Sequence, residues 1–345
     1  MSEYSVAVVI LNWNGLPYLQ NFLGTVCEYS RADAEIWVVD NASSDGSVVF
    51  IQEQHPEIKL LILDKNYGFA EGYNRGLAQI DADIFVLLNS DVEVTKNWIR
   101  PIISCMQGDE LLVACQPLIL DYNKKECFEH AGAAGGYLDR DAYPFCAGRL
   151  FDTFEKNEGQ YTGVREIFWA SGAALFVKSK AYKDCTGLDG DFFAHMEEID
   201  LCWRLKNRGF KIGVCGESSV YHIGGGTLNR MDPKKTFLNF RNNLYLIVKN
   251  DFESFFVLRL LRRMILDGVA AARFILEGKP AFFNAVMKAH FNFFSNTGKT
   301  WRKRISNKKN LANPNNHGRY RGSIVLEYFL RKKHFFKDLN PSDFA

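Results

Sequence analysis

The chain lacks a long apolar run. No stretch of about 18 uncharged apolar residues occurs, so no membrane-spanning helix is predicted. Paired cysteines are also missing. The eight cysteines, at positions 27, 105, 115, 127, 146, 185, 202 and 215, form no CxxC, which argues against a zinc site. Several fall inside apolar runs, where a reduced thiol behaves as a small hydrophobe, as in a reducing cytosol. The N-terminus, Met1-Ser-Glu-Tyr-Ser5, has no charged region ahead of its apolar run and no cleavage pattern, so no secretory leader is expected. Internal repeats and long low-complexity tracts are absent. Net charge is scarce as well, because 42 Lys+Arg nearly cancel 40 Asp+Glu to leave +2.

That balance hides an asymmetry. Residues 1–230 hold 20 Lys+Arg against 32 Asp+Glu, whereas residues 231–345 hold 22 against 8. A basic tail on an acidic body implies an anionic partner for the tail, either a membrane surface or nucleic acid. Residues 252–277 carry an amphipathic pattern, with Arg259, Arg262, Arg263, Arg273 and Glu277 on one face and Val257, Leu261, Met264, Ile265 and Ile275 on another. Phe282, Phe283, Phe291, Phe293 and Phe294 follow among lysines and arginines. Such helices favour an anionic membrane surface. Nucleic acid is unlikely as a partner, since the aromatics follow helical spacing and no recognition motif is present.

What is present in residues 1–230 is an alternation. Apolar runs at 6–11, 36–39, 60–63 and 85–88 read as buried strands, and helical patterns separate them. Strands alternating with helices predict right-handed crossovers and a doubly wound, mostly parallel α/β sheet. Residues 97–107 read as a further helix and 111–116 as a strand. Residues 121–168 read as a Gly- and aromatic-rich loop insertion. Short strands are predicted at 173–177, 211–214 and 219–222, with a helix from 197 and a flexible loop at Gly224-Gly-Gly226.

Polar side chains gather where the strands end. Asn12, Asp40, Asn66 and Asp91 each follow a strand, and ligands of open α/β sheets sit at the strands' carboxyl ends. In Ile84-Phe-Val-Leu-Leu-Asn-Ser-Asp91, apolar residues run straight into oxygen donors that can hold a divalent cation against a diphosphate. Glu197-Glu-Ile-Asp200 places three acids in a first helical turn, a source of a general base. Arg204 stands four residues beyond Asp200, the spacing of a helical ion pair. A Gly-rich phosphate loop after the first strand, expected of a nucleotidyltransferase, is not matched by Asn12-Trp-Asn-Gly15.

Five ordered motifs carry a resemblance: Val8-Val-Ile-Leu-Asn-Trp-Asn-Gly15, Val38-Val-Asp-Asn-Ala-Ser-Ser-Asp-Gly46, Asn66-Tyr-Gly-Phe-Ala70 with Asn74, Leu87-Leu-Asn-Ser-Asp91, and Glu197-Glu-Ile-Asp-Leu-Cys-Trp-Arg204. The chain resembles the family-2 inverting glycosyltransferases of GT-A fold, and within them the rhamnosyltransferase-like subgroup. The resemblance implies a catalytic domain over 1–230, with a nucleotide-sugar half at about 1–95 and an acceptor half at about 96–230. A basic, aromatic helical region over 231–345 follows.

It further implies a donor edge of Leu11, Asn12, Trp13, Asp40, Asn66, Asn74, Asn89, Ser90 and Asp91. Asp91 resembles the second acid of the family's Asp-X-Asp signature, which holds Mg²⁺ or Mn²⁺ on the donor diphosphate. Asn89 stands where the first acid is usual and contributes an uncharged carbonyl. His222 is implied as a further metal ligand. Glu198 aligns with the catalytic base, with Glu197 and Asp200 as alternatives. Trp169 and Gly172 resemble the loop beside the transfer site, while Arg241-Asn-Asn243, which follows the catalytic region, reads either as a contact to the diphosphate or as a solvated surface group. The implied activity is metal-dependent transfer from dTDP-rhamnose or a UDP-hexose to a saccharide or lipid-linked saccharide in cell-surface polysaccharide synthesis. The implied location is cytoplasmic and peripheral on the membrane's inner face. The alternative is a non-catalytic nucleotide-sugar or membrane-binding protein with a degenerate metal site.

Overall fold

A computed structural model describes residues 4–129, 132–224 and 232–345, so Gly225 and Gly226 of the predicted flexible loop lie outside the described residues. Four strands, β1 (Val6–Asn12), β2 (Glu35–Asp40), β3 (Lys59–Ile62) and β4 (Ile84–Leu88), pair in parallel in the order β3-β2-β1-β4. Helices α1 (Leu16–Ser30), α2 (Ser47–Gln54) and α3 (Gly68–Leu77) make the crossovers, as the alternation predicts. β1 is buried on both faces: Ala7 and Val9 join one core, while Val6, Val8 and Ile10 join the other. That two-residue period is the pleat dividing one apolar run between two layers.

Beyond β4 lie the short β5 (Val92–Val94), α4 (Arg100–Gly108) and β6 (Leu112–Asp121). The predicted loop insertion contains a small antiparallel sheet of β7 (Gly136–Leu138), β8 (Pro144–Cys146), β9 (Arg149–Leu150) and β10 (Thr153–Phe154). Its strands of two or three residues are too short to show a period in sequence. β11 (Val164–Ile167), β12 (Ala174–Lys178), α5 (Ser179–Asp184), α6 (Glu197–Asn207) and β13 (Lys211–His222) complete the body. β12 runs antiparallel between β4 and β6. The two strands predicted at 211–214 and 219–222 are one strand, interrupted in register between Cys215 and Ser219.

The pairing of β13 positions the site. His222 lies opposite Asp121 in parallel β6 and opposite Val92 in antiparallel β5. The residue before Val92 is Asp91, so strand register alone brings positions 91 and 222 together.

The C-terminal region forms α7 (Pro233–Asn250), α8 (Phe256–Leu276), α9 (Pro280–Ser295), α10 (Thr297–Lys308) and α11 (Ile324–Phe329). α7 begins with Asp232 accepting the Lys234 N–H and with Pro233 in its first turn, both standard start signals. Its Leu244, Leu246, Ile247 and Val248 enter the same core cluster as Ile199 and Leu201 of α6. Among the described residues no helix is long and apolar enough to cross a membrane.

Candidate active site

The loop after β1 is built around Asn12 and Asp40, both fully buried. The Asn12 amide donates to Asp40 Oδ1 at 3.0 Å and to Ser43 Oγ at 3.0 Å, while Asp40 Oδ2 accepts the Ser43 N–H at 2.8 Å. Both carboxylate oxygens of Asp40 are therefore engaged in shaping the turn after β2. Asn14, with a left-handed φ of 51°, accepts the Ser44 N–H at 2.7 Å and locks the two loops together. Asn12 Oδ1 is buried without a partner. A Cβ at position 15 would lie 2.5 Å from that oxygen and 3.5 Å from Ser90 Oγ, so Gly15 leaves room where the loops after β1 and β4 meet. Trp13 is 49% exposed at this edge, available as a flat packing surface rather than spent in the core. Leu11 packs toward Gly72 of α3.

Two of the implied donor residues have other work. Asn74 donates to the Leu188 carbonyl at 2.8 Å, and its oxygen accepts from Tyr182 at 2.7 Å and from the Leu188 N–H at 3.0 Å. It fastens α3 to the loop before α6, with its oxygen taken by both Tyr182 and Leu188, and this corrects the expectation of donor contact. Asn66 is exposed, and its amide oxygen accepts from Asn41 at 3.0 Å and from the Gly68 N–H at 2.8 Å, ordering the start of α3.

Asp91 and His222 meet as the register requires. His222 Nε2 lies 3.1 Å from Asp91 Oδ1, and Nδ1 lies 3.3 Å from Glu129 Oε2, all three residues being buried. Burial alone would lower the imidazole pKa, but Asp91 and Glu129 on either side push it up to about 10. The arrangement fits a divalent cation. Two ligands about 2.1 Å from one octahedral ion and at right angles stand about 3.0 Å apart. A carboxylate on the rear ring nitrogen is the usual device for fixing a metal-binding imidazole. Glu129 is a residue that sequence reasoning missed, since it sits in the Gly- and aromatic-rich insertion with no motif around it. Asn89 is partly exposed and tied by its backbone N–H to the Ala173 carbonyl at 3.0 Å.

The acid cluster divides into three different groups. Asp200 is fully buried; its Oδ2 takes Arg204 Nε at 2.8 Å and Lys249 Nζ at 2.7 Å, and its Oδ1 takes Asn250 at 2.7 Å. Fully buried and with both oxygens held by cations and an amide, it is an ion-pair anchor, which corrects the alternative of Asp200 as base. Glu197 is buried with Oε2 unpartnered; burial and the neighbouring Glu198 hold its pKa well above the usual carboxylate range. Glu198 is partly exposed as a residue, but its Oε2 is buried without a partner like that of Glu197, and burial pushes its pKa up to about 7. A Cβ at Gly172 would lie in ordinary contact, 3.7 Å from Glu198 Cβ and 3.8 Å from Phe69 Cζ, so Gly172 stands directly beside Glu198.

Trp169 is corrected. It is 5% exposed, donates Nε1 to the Tyr137 carbonyl at 3.0 Å, and fills the space over Gly136. It buttresses the small sheet rather than facing an acceptor.

The backbone entering α6 is strained. Phe193, His195 and Met196 have φ of 64°, 68° and 70°, a left-handed conformation that bulky residues avoid. Asn242 of α7 holds it, donating its amide to the carbonyls of Phe192 at 3.0 Å, Ala194 at 2.9 Å and His195 at 2.7 Å. Arg241 adds bonds to the carbonyls of Asp191 at 3.1 Å and Phe192 at 3.0 Å. Arg241 and Asn242 thus clamp the acid loop, in place of the diphosphate contact their sequence position implied.

Residues 7–162 match the family model of glycosyl transferase family 2. An N-acetylglucosaminyl-diphospho-decaprenol L-rhamnosyltransferase of Mycobacterium tuberculosis is 25% identical over 228 residues, 62% of this chain and 72% of that protein. A low-salt glycan biosynthesis hexosyltransferase, Agl10, of Haloferax volcanii is 23% identical over 296 residues, 81% of this chain and 90% of that protein. Among solved structures, GalNAc-T7 with UDP, GalNAc and Mn²⁺ superimposes with a TM-score of 0.56 at 17% identity, over 74% of this chain. The chain spans 50% of that longer protein. The fold is of the GT-A type.

Proposed function

We propose that this chain, a family-2 glycosyltransferase over the matched residues 7–162, moves a sugar from a nucleoside-diphosphate sugar onto a saccharide or lipid-linked saccharide with inversion at the anomeric carbon. The observation that carries the reading is the Asp91–His222–Glu129 line at the carboxyl ends of β4 and β13. Asp91 and His222 are the protein ligands for Mn²⁺ or Mg²⁺, with Glu129 orienting the imidazole and Asn89 a secondary or water-mediated ligand. Such a cation, when bound, offsets charge on the leaving diphosphate. Asn12, Ser90 and the exposed ring of Trp13 border the donor's seat, and Asp40 holds the loops that form it.

Glu198 is the general base. It stands beside Gly172, is partly open to an acceptor, and has its pKa raised to about 7. Ionised, it takes the acceptor hydroxyl proton as that oxygen attacks, and a single displacement completes the transfer. Glu197 behind it stays protonated and preserves the low-charge surroundings. The rhamnosyltransferase and hexosyltransferase relatives support dTDP-rhamnose or a UDP-hexose as donor and synthesis of an envelope glycan as setting. A lipid-linked acceptor is reached from the cytoplasmic membrane face, where the C-terminal region attaches peripherally.

The test is a thermal-shift and acceptor-free hydrolysis panel of nucleotide sugars with Mn²⁺ and Mg²⁺, because a ligand of the folded state raises its stability. One donor should stabilise the protein only with the cation. Asp91→Ala should abolish turnover, and Glu198→Gln should keep donor binding while losing transfer. Full transfer by Glu198→Gln removes the base assignment. The absence of a metal-linked shift with every donor removes the site assignment.

A further inference from the structure

α8 is built with its polarity reversed. Its inward side holds the charges. Arg263 and Asp267 are buried and paired at 2.7 Å, His290 of α9 reaches Asp267 at 3.0 Å, and the Arg263 guanidinium lies 3.8 Å from the centre of the Tyr143 ring. Arg259 turns to Asp251 and to Glu253, and Arg262 to Asp141 at 3.2 Å. The arginines that suggested an electrostatic face are thus occupied by the protein's own acids.

The outward side is apolar. Leu258, Leu261, Ile265, Val269 and Leu276 recur at helical spacing and are 55%, 53%, 66%, 63% and 88% exposed, with Ala272 between the last two. Leu258 to Leu276 is about 27 Å of helix at 1.5 Å per residue. Arg262 and Arg273 flank that stripe, each turned to a carboxylate of this chain, and Phe255 extends it by a turn. Single exposed apolar residues need no explanation, but a continuous line of them needs a cover.

We infer that the outward face of α8 inserts into the boundary between lipid headgroups and acyl chains, and that this burial, more than charge, attaches the protein to a membrane. A second copy is the other natural cover, and charge decides between them. The same helical region presents exposed cations, Lys288 of α9, Arg302 and Lys308 of α10, and Lys309 after it, and among the described residues none of the four takes part in an ion pair. Like-charged faces of two copies repel, whereas phosphate-bearing headgroups attract them. The exposed Phe291, Phe294 and Trp301 of α9 and α10 suit the same boundary. The inference deepens the peripheral attachment in the reading above and changes its driving force.

The test is flotation of the full chain with phosphatidylcholine vesicles, with and without phosphatidylglycerol, at low and molar salt. Wild type floats with both, and molar salt leaves most of the binding. Leu261→Glu and, as a milder change, Ile265→Gln each weaken flotation about tenfold or more. Both leave the melting temperature and acceptor-free donor hydrolysis unchanged, so loss of the attachment and failure of the transferase reading are separable. Flotation only with anionic vesicles and only at low salt overturns the inference. So does unchanged flotation of both variants. A lipid-free dimer that the same variants dissociate overturns it in favour of a second copy.

Discussion

Glu198, Glu197 and Asp200 have the same chemistry and stand within four residues, yet the fold gives them three fates. Asp200 is saturated by Arg204, Lys249 and Asn250. Removing one partner of a buried ion pair leaves the others uncompensated, at about 3–5 kcal/mol. Asp200→Asn should therefore lower unfolding stability by that order in a urea titration. Any activity lost should follow the folded fraction. Glu198 has the opposite signature. A base works when ionised, and its pKa is raised to about 7 by burial, so transfer should rise with pH through about 7 and level off above. A pH profile of kcat with its acidic limb near 4 would exclude Glu198. At the cation site, Glu129→Gln should weaken metal affinity about 10–100-fold without removing a ligand, read by titrating Mn²⁺ against the thermal shift. The positions of Ser90 and Asp91 after β4, of His222 at the end of β13 and of Glu198 at the start of α6 were legible because each ends or begins an element with a recognisable pattern. Glu129 was not, since only the pairing of β13 with β5 and β6 brings His222 beside it.

At the scale of elements, the strands and helices of the parallel half were legible from their periods, and the long helix α8 from its spacing. The small sheet was not, because two-residue strands carry no period and depend on Trp169 packing over Gly136. A Cβ there would come within 2.1 Å of the Trp169 ring, so Gly136→Ala should overpack the joint and destabilise by about 1–3 kcal/mol. Which way α8 would face was also hidden. Its arginines and aliphatics are equally amphipathic in either orientation, and the acids Asp141, Asp251 and Glu253 outside the helix meet its arginines. α7 matters most to the site. Asn242 bonds three carbonyls of a loop whose residues hold left-handed φ. Asn242→Ala should let that loop relax and displace Glu198. Steady-state kinetics should then show kcat falling about tenfold or more while KM for the donor stays near wild type. Loss of donor affinity instead would mean that the clamp serves the diphosphate.

For the whole molecule, the opposed charges of the two halves prove to be a join. Lys249 pairs with Asp189 and Asp200, Lys303 with Asp189 and Asp191, Lys299 with Asp191, and Arg262 with Asp141. The anionic partner that the basic tail implied is, at these positions, the acidic body of the same chain. Apolar burial follows the same route, since Leu244, Leu246, Ile247 and Phe293 complete a core shared with Phe192, Ile199 and Leu201. The change of composition near 230 is thus crossed by one core and by several ion pairs. A fragment ending at residue 230 would uncover that core, strip Asp189 of Lys249 and Lys303, and leave Asp200 with Arg204 alone of its two cations. Lost ion pairs and exposed apolar surface both oppose folding, and domains are usually stable by only about 5–15 kcal/mol. Expressed alone, residues 1–230 should be insoluble or lack a cooperative thermal transition by circular dichroism. A soluble fragment that melts cooperatively and still binds a nucleotide sugar with Mn²⁺ would show instead that the helical region is an accessory, and that the ion pairs across the join only dock it.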